Sequence, residues 1–275
     1  MNIGVIIAAA GASRRYTESG GLRSKLDEDL GGKPVLQRSV ELFSKHDDVK
    51  FIVVAGPGED ADFAEFKARH ADRLGLLGAT LVKGGKDHRW QTVKAALGVI
   101  PEGDGDDAIT HVAVHDAARP AAPAELIDRI FELARHHPAV VPGFEVGDTL
   151  KRATQSGALA RPSDPLAAIL GAAASDERTI VIDSTVDRAG LFAVQTPQTF
   201  EIGVIRAAYA QPDLSSTDDA SLVERLFAEE GKQRKVVIVP GDARNIKITR
   251  SSDLPLARAI MGLRATDERP AHKRF

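Results

Sequence analysis

Ile3-Gly4-Val5-Ile6-Ile7-Ala8, running into Ala9-Ala10-Gly11-Ala12-Ser13-Arg14-Arg15, decides how this chain is read. A short apolar run bounded by glycine and small residues is the pattern of a buried strand in a parallel sheet. After it, no side chain is bulkier than a hydroxymethyl group until two adjacent arginines. Small residues let backbone N–H groups close on an anion, and the arginines supply countercharge. A strand that empties into such a loop points to a phosphorylated ligand, a nucleotide first among them. An ordinary strand-turn with surface arginines is the plainer alternative. A dinucleotide fold of the oxidoreductase kind needs G-x-G-x-x-G and an acid about 20 residues on. Only Gly11 is present here, and Phe51-Ile52-Val53-Val54-Ala55-Gly56 ends without a carboxylate, which disfavours a dehydrogenase.

Outward from this strand, strand-like and helix-like segments alternate. Pro34 is expected to open a helix, with Val35, Leu36, Val40, Leu42 and Phe43 at helical spacing. Strand 51–55, a polar helix near 59–72, a strand at Thr80-Leu81-Val82 and a helix over about 89–99 follow. Strand 110–114, helix 124–136 and strand Ala139-Val140-Val141-Pro142 complete the series. Such units predict an α/β fold with a doubly wound, mainly parallel sheet, whose ligands bind beyond the carboxyl ends of the strands. The loops after residues 8, 82 and 114 should then face one crevice. The alternation breaks over residues 144–190, which contain Pro162, Pro165, an alanine-rich stretch 166–174 read as a short helix, and an apparent strand Thr179-Ile180-Val181-Ile182. This region is expected to be an arm or insertion within one domain spanning 1–275, and the charged residues 264–275 a frayed tail.

Composition narrows the function classes. With 275 residues, 43% of them hydrophobic, the chain can bury one sizeable core. A net charge of −3 with scattered basic residues implies no nucleic-acid-binding stripe. No apolar run reaches membrane-span length and no charged segment precedes the first strand, so a cytoplasmic protein without a membrane partner is expected. The absence of cysteine removes disulfides and thiolate metal sites.

Four later clusters share the character of the first: Lys83-Gly84-Gly85-Lys86-Asp87-His88-Arg89 with Thr92, His115-Asp116-Ala117-Ala118-Arg119-Pro120, Thr196-Pro197-Gln198, and Asn245-Ile246-Lys247-Ile248-Thr249. Asp116 sits where a hard cation and phosphate oxygens could meet, although a loop aspartate more commonly caps a helix or pairs with a base such as Arg119. Lys247, read as lying on a strand between isoleucines, calls for a partner. His115 reads as a packed strand-end residue rather than a base. Trp90 could stack on a base or pack against the sheet. Ser215-Ser216-Thr217-Asp218-Asp219 is first a capping pattern, with acids that could stand behind a site. No zincin helix, nucleophile elbow or Walker A loop is present.

Taken together, these clusters resemble the 2-C-methyl-D-erythritol 4-phosphate cytidylyltransferase family. The resemblance extends through Asp148-Thr149-Leu150-Lys151-Arg152, Thr185-Val186-Asp187-Arg188, Gln195-Thr196-Pro197-Gln198-Thr199-Phe200, Thr217-Asp218-Asp219-Ala220-Ser221 and Asn245-Ile246-Lys247-Ile248-Thr249-Arg250. It implies a Rossmann-like nucleotidyltransferase that moves a cytidylyl group from CTP to a sugar-alcohol phosphate in non-mevalonate isoprenoid synthesis. It further implies catalytic roles for Arg15, Lys25 and Lys247, and nucleotide contacts from Ala10, Gly11, Gly85, Thr92, Asp116 and Ala117. Arg119, Thr149, Arg188 and Thr196 would hold the sugar phosphate. Magnesium would be held by the CTP phosphates with Asp116 nearby, and a homodimer would exchange arms. Three departures stand out. Ser24-Lys25-Leu26 replaces the family's Pro-Lys-Gln, with Arg23 as the rival cation; Thr92 replaces a serine; and the stretch between Arg152 and Thr185 is longer. Ribitol-5-phosphate cytidylyltransferase is similar through the nucleotide half, but the Thr149 and Arg188 segments favour methylerythritol phosphate. A catalytically silent nucleotide-binding relative is the alternative from another class.

Overall fold

The computed structural model describes residues 1–103, 105–156, 179–229, 231 and 234–263. Among them the strands are β1 (Ile3–Ala8), β2 (Val49–Gly56), β3 (Ala79–Lys83), β4 (His111–Asp116), β5 (Ala139–Glu145), β6 (Leu150–Ser156), β7 (Thr179–Val186), β8 (Phe192–Val194), β9 (Gln198–Glu201) and β10 (Val237–Pro240). The α-helices are α1 (Arg14–Glu18), α2 (Val35–Glu41), α3 (Asp60–Gly75), α4 (Arg89–Leu97), α5 (Ala124–Ala134), α6 (Ile202–Tyr209), α7 (Asp219–Glu229) and α8 (Asp253–Ile260). The chain divides into two compact units, Met1–Gly143 with Val194–Phe275, and Phe144–Ala193.

In the larger unit the main path of the sheet runs β10-β5-β9-β4-β1-β2-β3. β1 is parallel to both β2 and β4, β2 to β3, and β5 to β10, while β9 is antiparallel to β4 and β5. The sheet is therefore mainly parallel, with its first strand near the middle. Alternation along β1 sends Ile3, Val5 and Ile7 into one layer with Leu36, Val40, Phe43 and Phe131. Ile6 enters the opposite layer with Val93, Leu97, Ile205 and Leu222. Burying each such side chain contributes roughly 1.5–3 kcal/mol, which is why this strand has no polar face.

Element ends differ from expectation where tertiary contacts extend or cut them. Pro34 is the N-cap of α2 rather than its first residue. The helix stops before Leu42 and Phe43, where the Phe43 N–H reaches back only to the Val40 carbonyl in a tighter final turn. β4 continues to Asp116 because β1 offers a partner up to the Ala8–Asp116 pair. Lys247 does not lie on a strand: its neighbour bonds to a loop, the Ile248 N–H donating to the Ala118 carbonyl at 2.8 Å.

The smaller unit is built on the antiparallel pair β6–β7, with an irregularity between Arg152 and Ala153. The strand expected over 179–182 runs on to Val186, and the polar, small residues 153–156 belong to its partner β6. Lys151 Nζ donates to Thr185 Oγ1 at 2.6 Å and Thr154 Oγ1 to Asp183 Oδ1 at 3.1 Å. The alanine-rich helix expected at 166–174 and the tail 264–275 lie outside the described residues. Among the described residues no helix is long and apolar enough to cross a membrane.

Candidate active site

Beyond the carboxyl ends of β1 and β4 lies a cavity of about 540 Å³, walled by residues 8–16, Lys25, Leu26, residues 85–89, Thr92, residues 116–118, Lys247 and Thr249. Ala10, Gly11, Arg15, Lys25, Gly85, Thr92, Asp116, Ala117 and Lys247 are thus brought to one place. Arg119 and Thr196 stand behind this wall, and Arg23 is exposed and not part of it.

The first loop is shaped by its small residues. Ser13 adopts a left-handed backbone (φ 54°) at the start of the short helix that carries Arg14 and Arg15. A Cβ added at Gly11 would meet nothing within 4 Å, so its bareness widens the cavity rather than serving packing. Gly84 and Gly85 differ in this respect. A Cβ on Gly84 would come within 2.4 Å of the Gly56 carbonyl, and one on Gly85 within 2.2 Å of Gln91 Cβ. Thr92 holds this loop from α4, its buried hydroxyl accepting the Gly85 N–H at 3.1 Å. Gln91 Oε1 accepts the Asp87 and His88 N–H groups at 3.0 and 3.1 Å.

Asp116 is the electrostatic centre. Lys247 Nζ lies 2.8 Å from its carboxylate, and the Nε atoms of Arg89 and Arg119 each lie 3.6 Å away. Burial alone would raise the Asp116 pKa, but Lys247, Arg89 and Arg119 outweigh it and hold the group well below the usual carboxylate range. Asp116 therefore pairs with Arg119 and also lines the cavity. Lys247 has the partner its setting calls for. Lys25, also on the cavity wall, is pushed below the ordinary lysine pKa by desolvation and by repulsion from Lys247.

The layer behind this wall is knit by hydrogen bonds. The Asp116 N–H donates to Thr196 Oγ1 at 3.0 Å, Asn245 Nδ2 donates to the Thr196 carbonyl at 2.9 Å, and Arg119 Nη1 donates to the Asn245 carbonyl at 2.7 Å. His115 is fully buried against Phe43, with Nε2 3.0 Å from the Arg119 carbonyl. Desolvation pushes its pKa down to about 4, so it is a neutral packing residue. Trp90 packs against the sheet layer and stacks on His88 at 6.0 Å.

Asp219 is legible in sequence only as part of a capping pattern. The cap belongs to Asp218, whose Oδ1 accepts the Ser221 N–H at 3.1 Å. Asp219 is completely buried and lies 2.7 Å from Arg89 Nη1. The doubled acid at a helix start is its only sequence signal. Thr149 and Arg188 belong to the smaller unit, where the Leu150–Val186 pairing places them at the same end of the hairpin.

Among the described residues no three histidines, aspartates or glutamates gather as a metal site. Asp116 is a single carboxylate, with Lys247 Nζ 2.8 Å from its Oδ2 and Arg89 Nε 3.6 Å from its Oδ1. A single carboxylate on the cavity wall suits magnesium that keeps its waters and takes most ligands from phosphates.

The family model described as 2-C-methyl-D-erythritol 4-phosphate cytidylyltransferase matches residues 3–167 and 163–263. A protein of that name from Frankia casuarinae is 36% identical over 260 residues, covering 94% of this chain and 81% of the relative. Another from Syntrophotalea carbinolica is 33% identical over 264 residues, covering 95% and 97%. Among solved structures, a 4-diphosphocytidyl-2C-methyl-D-erythritol synthase superimposes with a TM-score of 0.66 at 29% identity, covering 94% of this chain and 98% of the other. The 2-C-methyl-D-erythritol 4-phosphate cytidylyltransferase from Thermus thermophilus gives a TM-score of 0.64 at 27% identity, covering 96% and 100%.

Proposed function

This chain belongs to the 2-C-methyl-D-erythritol 4-phosphate cytidylyltransferase family, and on that premise we propose how its own residues carry the family reaction. The enzyme transfers a cytidylyl group from CTP to 2-C-methyl-D-erythritol 4-phosphate, giving 4-diphosphocytidyl-2-C-methyl-D-erythritol and pyrophosphate. The observation that carries the assignment of roles is the convergence of Arg15, Lys25, Lys247 and Asp116 on one cavity, with the imidazole of His115 behind it buried and neutral.

A phosphate monoester has its second pKa near 6, so the attacking oxygen is already anionic at neutral pH and needs no base. The obstacle is repulsion between that anion and a triphosphate. Arg15 and Lys25 would neutralise the triphosphate, and Lys247 would draw the attacking phosphate toward the α-phosphorus as the bond to pyrophosphate breaks. Ala10 and Gly11 would leave room and backbone N–H groups for the nucleotide, and Ala117, whose own N–H goes to the Ala8 carbonyl at 3.2 Å, would leave room beside them, with Gly85 and Thr92 also lining the cavity. Magnesium would be held by the CTP phosphates with Asp116 nearby, and would supply further charge neutralisation there.

Thr149 and Arg188 would bind the sugar phosphate, with Arg119 and Thr196 holding Asp116 and the Lys247 segment in place. Since both arm residues stand at one end of a hairpin that exposes Ile180 (69%) and Ile182 (65%), we assign the arm to a second copy of the chain, each protomer completing its partner's site. A reaction that consumes CTP belongs with the cell's nucleotide pool, so a cytoplasmic enzyme is the reading we favour.

Purified protein with magnesium, CTP and methylerythritol phosphate should release pyrophosphate, with ATP, GTP and ribitol 5-phosphate poor substitutes. CTP binding without turnover on any polyol phosphate would refute the assignment.

A further inference from the structure

Arg89 and Asp219 are built into the site yet have no part in the chemistry above. Arg89 opens α4 after the Gly84–Gly85 loop, and Asp219 opens α7, a helix packed in the same layer as α4. The Asp219 carboxylate is completely buried; one oxygen meets Arg89 Nη1 at 2.7 Å and the other accepts the Tyr209 hydroxyl at 2.5 Å. The same guanidinium presents its Nε edge to Asp116 at 3.6 Å. A guanidinium is planar and rigid, so fixing one edge fixes the other. A buried acid costs several kcal/mol unless paired, so a chain that merely needed a helix start would use Asp218 alone.

We propose that Asp219 is a positioning residue for cytidylyl transfer: through Arg89 it holds the Asp116 carboxylate where Lys247 and the phosphates meet it. The role rests on the reaction assigned above. While Asp219 holds Nη1, Arg89 stands back from Asp116 and leaves the closer approach to Lys247. Without that hold, Arg89 closes on Asp116 and competes with Lys247 for the same carboxylate. Tyr209 completes the chain by donating to Asp219 from α6, in a setting where burial and the adjacent acid push its own pKa far up, so it stays a donor.

The test is a double-substitution cycle in the intact enzyme, read as kcat and as KM for CTP. Asp219→Asn removes the charge and keeps the shape; kcat should fall about 10–100-fold, as for other groups that orient a ligating carboxylate, with KM for CTP little changed. Tyr209→Phe should lower kcat in the same direction by less, and serves alone if Asp219→Asn does not fold. In an Asp116→Asn background both losses should vanish, because the residue they act through is gone. Losses that multiply in the double variants, or an unchanged kcat in the folded single variants, would overturn the positioning role. Absence of turnover by the unsubstituted enzyme would overturn the reaction assignment, and this role with it.

Discussion

Lys247→Ala separates charge stabilisation from folding more cleanly than any other change in this site. Lys247 lies 2.8 Å from Asp116 with its side chain 39% exposed, so solvent screens the pair and its contribution to stability is at most about 1 kcal/mol. Arg89 and Arg119 remain within 3.6 Å of the carboxylate after the change, which keeps Asp116 ionised at neutral pH. The melting temperature should therefore fall by no more than about 2–4 °C. The reaction depends on the same ammonium differently, because there it faces two phosphates rather than one carboxylate. A unit charge about 4 Å from another is worth about 4 kcal/mol at an effective dielectric of 20, which corresponds to about three decades in rate. Partial exposure trims that figure, so kcat should drop about 10²–10³-fold, the range seen when one such contact is lost. The assay is continuous pyrophosphate release at saturating CTP and methylerythritol phosphate, paired with calorimetric melting of the same preparation. A kcat close to that of the unsubstituted enzyme would refute the role. So would a melting temperature that collapses with the rate, since the lysine would then be holding the fold.

Lys25 gives a pH signature: its lowered pKa means the cation is lost as pH rises, earlier than for an ordinary lysine. The alkaline limb of kcat should begin below pH 10.5 and shift upward in Lys25→Arg, while Lys25→Ala should cost about 10²–10³-fold at neutral pH; an unshifted limb would point to Arg23 instead. His115, whose pKa falls from 6.5 unfolded to about 4 folded, makes the unfolded chain bind more protons in that window, so stability should decrease by about 3 kcal/mol as pH falls through it. Denaturant melts of His115→Asn should lack that slope; parallel slopes in both proteins would exclude the imidazole as its source. Mixing Arg188→Ala with Lys247→Ala subunits, each inactive alone, should restore part of the activity if arms are exchanged, and no recovery despite demonstrated subunit exchange would show that each site is built from one chain.

Local pattern alone determines much of this protein. The run Ile3–Ala8 has no polar face, so it has to be buried on both sides, and a parallel sheet with its first strand inside follows from that. The small residues from Ala9 to Ser13, the Gly84–Gly85 pair and the Asp116 turn each follow a strand, and the rule that ligands bind at carboxyl ends is enough to gather them around one crevice. Packing, however, chooses among side chains that look alike in sequence. Lys25 and Arg23 are two positions apart, yet only Lys25 reaches the cavity wall. The isoleucines flanking Lys247 suggest a strand, but the backbone partner of its segment is the Ala118 carbonyl rather than a strand neighbour. Asp218 and Asp219 are adjacent and chemically identical, and one caps a helix while the other is buried against Arg89, because successive residues at a helix start point in different directions. Hydrophobic periodicity is a property of neighbours in the chain and survives without a tertiary structure. The pairing of Asp116 with Arg89, 27 positions away, and with Lys247, 131 positions away, exists only once the sheet has brought three separate loops to the same edge.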